Sequence, residues 1–97
     1  MRYEIILSPE AIEDLNQLGA NNKAKVKDLI EIHLRHEPFK TSKSRIKKLR
    51  GLRHPQYRLR ADEIRVFYDI EKNRVEILAI ISKNEAIKWL ENRGEKI

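Results

Sequence analysis

Three arginines, Arg58, Arg60 and Arg65, stand within the stretch "KLRGLRHPQYRLRADEIRVFY", which runs from Lys48 to Tyr68. Their spacing sets a specific geometry. If Asp62-Glu63 is a two-residue hairpin turn, Ala61 pairs with Ile64, Arg60 with Arg65, Leu59 with Val66, Arg58 with Phe67 and Tyr57 with Tyr68. Side chains alternate faces along a strand. Tyr57, Leu59, Val66 and Tyr68 then share a core face, while Arg58, Arg60, Arg65 and Phe67 share the other. Like charges placed opposite each other cost stability. An anion, most simply a phosphate backbone, would offset that cost. Arginine suits the task because its planar fork binds phosphate in bidentate fashion and stays charged. Phe67 on the same face could stack a base. The competing reading is a solvated face in which Asp62, Glu63 and Asp69 neutralise the arginines.

Charge is concentrated in the same region. The chain of 97 residues carries 21 Lys+Arg against 15 Asp+Glu, a net of +6. Lys40–Arg65 holds ten basic and two acidic residues, a net of +8, so the remainder carries −2. Such a patch is the electrostatic footprint of a polyanion-binding surface.

Any chemistry at a phosphate held there would need a base to take a proton, an acid to give one, and cations to stabilise the developing charge. The arginines can fill only the last role. Lys83, His54 and Glu85 or Glu63 are the candidates for proton transfer. His54, in a loop before Pro55, titrates in the useful range, although a lone loop histidine is more often plain surface. His33 and His36 have no third ligand nearby and read as structural, so no metal is expected.

The elements that must position these groups follow from pattern and punctuation. Tyr3–Leu7 reads as a short edge strand. Ser8-Pro9-Glu10 starts a helix with the apolar stripe Ala11, Ile12, Leu15, Leu18, and Gly19 reads as its left-handed cap. A second helix starts at Asn21 or Asn22, carries Val26, Leu29, Ile30, His33 and Leu34, and stops at Glu37-Pro38. Phe39–Ser44 is a loop, Arg45–Arg50 a strand and Gly51–Gln56 a loop. Strands follow at Tyr57–Ala61, Ile64–Ile70 and Arg74–Ile81, the last expected in the interior of the sheet. Ser82 and Glu85 match a capping box for a final helix anchored by Ala86, Ile87, Trp89 and Leu90 and closed by Gly94. The expected class is α+β, β-α-α-β-β-β-β-α, in one domain spanning 1–97. With no cysteine, disulfides and thiolate metal sites are excluded. No apolar run approaches the length of a membrane span, and the chain is expected to be cytoplasmic.

"KLRGL" at 48–52, "YRLRADEIRVFYDI" at 57–70 and "SKNEA" at 82–86 resemble the RelE/ParE toxins of bacterial type II toxin–antitoxin pairs. The resemblance covers nearly the whole chain. It implies two N-terminal helices on one face of a small, mostly antiparallel sheet, with a final helix behind it. It also implies an acidic antitoxin as partner, no cofactor, and either of two activities. RelE-like members are messenger-RNA interferases acting at the ribosome; ParE-like members bind DNA gyrase. A weak relative that mainly binds its antitoxin is the third reading. On the RelE pattern, Arg58 falls on a strand lysine that assists catalysis, Arg65 on the arginine that holds the scissile phosphate, and Lys83 is kept. Lys48, Arg50, Arg60, Phe67 and Asn84 are then the RNA- or phosphate-binding candidates, with His54 for proton transfer. Gln56 replaces a second lysine, Asn84 an arginine and Leu90 a stacking tyrosine, so the phosphate-binding half of that pattern is fuller than its proton-transfer half.

Overall fold

The computed structural model describes residues 2–97. The element order is β1 (Glu4–Leu7), α1 (Pro9–Gln17), α2 (Ala20–Leu34), β2 (Ile46–Lys48), β3 (Leu52–His54), β4 (Tyr57–Ala61), β5 (Ile64–Glu71), β6 (Arg74–Ser82), α3 (Lys83–Arg93) and β7 (Glu95–Lys96). Five strands form one sheet in the order β1-β6-β5-β4-β2, with β1 parallel to β6 and the other pairings antiparallel. β3 and β7 form a separate antiparallel pair. The expected α+β order is present, with these two short strands added to it.

The sheet separates two apolar clusters. On one face, Ala11 and Leu15 of α1 and Val26, Leu29, Ile30 and Leu34 of α2 pack against Leu59, Val66, Tyr68, Val75, Ile77 and Ile80. On the other, Ala86, Trp89 and Leu90 of α3 cover Phe67 and Ala79. The stripe of α3 is thus spent on a second, smaller core behind the sheet.

The run "ILAII" at 77–81 contains one irregularity that serves this packing. Phe67 pairs with Ala79 but Tyr68 pairs with Ile77, so Leu78 is the extra residue of a β-bulge. Strict alternation would send Ile77 and Ile80 to opposite faces; the bulge returns both to the helix-covered core, each at most 2% exposed. Helix α1 holds the bulge in place. The Ser8 hydroxyl donates to the Leu78 carbonyl at 3.2 Å. The Ile80 N–H donates to Asp14 Oδ2 at 3.0 Å, past the point where β1 ends. Ser8 also caps α1, accepting from the Ala11 N–H at 3.1 Å.

Several boundaries differ from the sequence reading. Gly19 is not a left-handed cap: α1 ends at Gln17 with Leu18 as its C-cap, and Gly19, with φ −61°, is the N-cap of α2, which begins at Ala20 and ends at Leu34. β2 is half the expected length, and the loop expected over Gly51–Gln56 contains β3. Ser82 is the N-cap of α3, but its hydroxyl bonds the Glu85 carboxylate at 2.9 Å instead of a backbone N–H. Gly94 does close α3. A Cβ there would lie 2.4 Å from the Leu90 carbonyl oxygen, so the position admits only glycine without displacement. Among the described residues no helix is long and apolar enough to cross a membrane.

Candidate nucleic-acid interface

The β4–β5 hairpin forms in the expected register. Arg60 pairs with Arg65, Arg58 with Phe67 and Tyr57 with Tyr68. Asp62 takes φ 55° at the first position of the two-residue turn, a left-handed conformation that aspartate tolerates. The core side of the hairpin is closed. Leu59, Val66 and Tyr68 are fully buried, Tyr57 stacks on Tyr68 with ring centroids 5.4 Å apart, and the Tyr68 hydroxyl donates to the Pro38 carbonyl at 2.7 Å.

The other side carries Arg58, Arg60 and Arg65, and no carboxylate answers them. Asp62 pairs with Lys25, Glu63 with Lys83 at 3.2 Å, and Asp69 with His54. None of the ion pairs among the described residues includes any of the three arginines. Partial burial, then the charges of Arg65 and Arg60, push the Arg58 guanidinium below its ordinary value. Burial and Arg60 do the same to Arg65, against a smaller opposing pull from Glu63. Arg65 spends part of its fork on the turn, donating to the Asp62 carbonyl at 2.7 Å and the Ile64 carbonyl at 3.1 Å. Arg58 Nε is buried and has no hydrogen-bond partner. A buried unpaired donor costs about 1–3 kcal/mol.

The remaining candidates divide. Lys83, at the first turn of α3, lies at the hairpin tip: its N–H donates to the Glu63 carbonyl at 2.8 Å and its ammonium meets the Glu63 side chain. Arg50 is exposed and lines a groove with Lys47, Leu49, Leu52 and Leu90. Phe67 does not form a stacking platform. It is 0% exposed and lies parallel to Trp89, with ring centroids 5.1 Å apart, because α3 covers it. Lys48 is not on the arginine face either. It pairs with Tyr57 in the β2–β4 ladder and its ammonium sits 5.9 Å from the centre of the Tyr57 ring. Lys47, the partner of Arg58, occupies the arginine side instead. Asn84 lines a groove with Ile81, Lys88 and Trp89, which none of the three arginines lines.

His54 is tied into a cluster that sequence reasoning did not find. Its Nδ1 lies 2.8 Å from Asp69 Oδ2. Asp69 is 7% exposed, and its other oxygen accepts from the Gln56 N–H at 2.7 Å. The Gln56 side chain accepts from the Ile70 N–H at 2.9 Å. Asp69 was expected on the arginine side as a neutraliser of the arginines; it lies on that side by parity with Arg65 and Phe67, but its partner is His54.

Comparison with known proteins agrees with this architecture. Residues 5–87 match the family model described as the ParE toxin of the type II toxin–antitoxin system, parDE. No curated protein sequence matches the chain. Among solved structures, the chain is similar to RelE of the archaeal RelE–RelB complex from Pyrococcus horikoshii OT3, with 23% identity, TM-score 0.70, and coverage of 86% of this chain and 97% of that one. It is also similar to the YoeB dimer from Staphylococcus aureus, with 23% identity, TM-score 0.63, and coverage of 84% and 97%. A mutant of E. coli RelE in the free state gives 21% identity, TM-score 0.57, and coverage of 94% and 93%. At these identities the structures speak for the fold, and the family model, which spans most of the chain, speaks for membership. The chain belongs to the ParE toxin family of type II toxin–antitoxin systems, within the RelE/ParE superfamily.

Proposed function

We propose that this toxin is an endoribonuclease that cleaves messenger RNA held in the ribosome, and that its arginine face grips the RNA backbone. One observation carries the reading: Arg58, Arg60 and Arg65 converge without a carboxylate partner, and Arg58 keeps a buried donor unsatisfied. Arg58, Arg65 and Lys83 take the catalytic positions, with Arg60, Lys47 and Arg50 extending the basic surface. Arginines hold charge but exchange protons poorly. Such a site gains from a ribosome that orients the 2′-OH, since positioning alone can lower a barrier by roughly 7–11 kcal/mol. An acidic antitoxin covering the same surface is the partner this reading requires.

A second reading, inhibition of DNA gyrase, is favoured by the match to the ParE family model. Two parallel assays separate them: translation of one messenger in a cell-free extract, and supercoiling by purified gyrase. The endoribonuclease reading expects translation to stop and supercoiling to continue. Blocked supercoiling with intact translation transfers the assignment to gyrase.

A further inference from the structure

We propose that His54 is the general base of this site and that buried Asp69 is its positioning residue; the inference rests on the endoribonuclease reading above. The starting observation is a buried carboxylate with no cation beside it except an imidazole. Asp69 is 7% exposed, and its ion-pair partner is His54. Its two oxygens are fixed from opposite sides, Oδ1 by the Gln56 N–H and Oδ2 by His54 Nδ1. An ionised carboxylate only accepts hydrogen bonds, so the imidazole carries its hydrogen on Nδ1. In the neutral ring the lone pair is then on Nε2. The His54 side chain is 45% exposed, and its Nε2 has no protein partner among the described residues. A base held at one ring nitrogen by a carboxylate, with the other nitrogen unpaired and the side chain half exposed, is the arrangement that proton abstraction needs.

Its place relative to the arginines follows from the strands. Arg65, Phe67 and Asp69 alternate along one side of β5, and Arg58 pairs with Phe67. Asp69 is therefore one row of side chains from Arg58, about 7 Å along the strand, and two rows, about 13 Å, from Arg65. The reacting phosphate is assigned between Arg58 and Arg65, which stand one row apart on this face, with Arg60 beside Arg65 and Lys83 beyond them at the hairpin tip. The charged groups placed at the imidazole are Asp69 on β5, the adjacent Arg53 on β3, and Glu95 on β7, the register partner of His54, which pairs with Arg53 at 3.6 Å; Arg58 lies one row from Asp69.

The step balances without metal or redox partner. His54 Nε2 takes the proton of the ribose 2′-OH. The 2′-oxygen forms a bond to phosphorus and the P–O5′ bond breaks. The leaving 5′-oxygen takes a proton from water, giving a 2′,3′-cyclic phosphate and a 5′-hydroxyl. His54 then returns its proton to solvent.

The test uses the full chain with ribosomes and a defined messenger. His54→Asn keeps a donor toward Asp69 but cannot exchange the proton. It should leave RNA binding by fluorescence anisotropy within about twofold and lower the cleavage rate by about 10²–10⁴-fold, the range for a lost general base. The acid limb of the rate–pH profile should vanish with it. Asp69→Asn should move the imidazole hydrogen toward Nε2, read by 15N NMR of the ring in the unliganded protein, and lower the rate with binding retained. Thermal melts of both variants confirm that they fold. An active parent whose His54→Asn variant cleaves equally fast overturns the assignment of His54 alone. A parent that cuts nothing overturns the endoribonuclease reading and this inference with it.

Discussion

Arg65 shows how much one residue's environment constrains its role. Its guanidinium donates to two turn carbonyls and has no carboxylate partner, while Arg60 stands opposite it. Removing it relieves like-charge repulsion and forfeits two modest hydrogen bonds, so Arg65→Ala should change stability by no more than about 1 kcal/mol. Expressed alone, the parent should slow growth and the variant should not; growth curves alongside thermal melts of the purified proteins check both halves. An equally inhibitory variant would detach the arginine face from activity. The arginine trio was legible in the sequence because a two-residue turn and a period of two leave one register to choose. Phe67 and Lys48 were not legible. Parity places Phe67 on the arginine side, but only the packing of α3 decides that Trp89 covers it. Lys48 depends on the register of β2, which three residues cannot announce by pattern.

At the scale of elements, α3 is the lid of the second core, where Trp89 stacks on the buried Phe67 ring. Phe67→Ala should therefore cost about 3–5 kcal/mol, the usual range for a buried phenylalanine. Urea unfolding measures it. A variant as stable as the parent would mean that Phe67 is available to ligands after all. Gly94 makes the complementary point at the end of the same helix. A methyl group there meets the Leu90 carbonyl, so Gly94→Ala should lose about 1–3 kcal/mol through forced displacement. The long elements were readable because their apolar periods run for several turns or pairs. β3 and β7 were not, because two or three residues form a strand only when a partner from the far end of the chain arrives. The bulge at Leu78 was hidden for a similar reason: "ILAII" is apolar at every position and so carries no period.

For the whole molecule, charge sets both partner and pH response. With +8 in Lys40–Arg65, binding of an acidic antitoxin should weaken steadily as salt rises, because exposed charges are screened. Calorimetry in a salt series would show it, and a flat series would argue for an apolar interface. Stability should fall on acidification in two stages. Burial and then Arg45 hold His33 below its ordinary 6.5. The unfolded chain thus takes up this proton first, and stability begins to drop below about pH 6.5. Hydrogen bonds from Arg93, Arg35 and Lys25 hold Glu10, Glu31 and Asp62 below their ordinary values of 4.5, 4.5 and 3.8. Their contribution is present above that range and is lost as pH falls through the lowered values. His33→Gln should remove the first stage only, as seen in melts taken from pH 8 to pH 3. The central claim, that the unpaired arginines grip RNA for cleavage with the ribosome's help, meets its most direct test in primer extension on one messenger. The parent and an Arg58→Ala/Arg65→Ala double variant are compared with and without ribosomes. The account predicts cuts by the parent with ribosomes, faint or absent cuts on free RNA, and none by the variant. Equal cutting with and without ribosomes, cutting by the variant, or an intact messenger in every lane would contradict it.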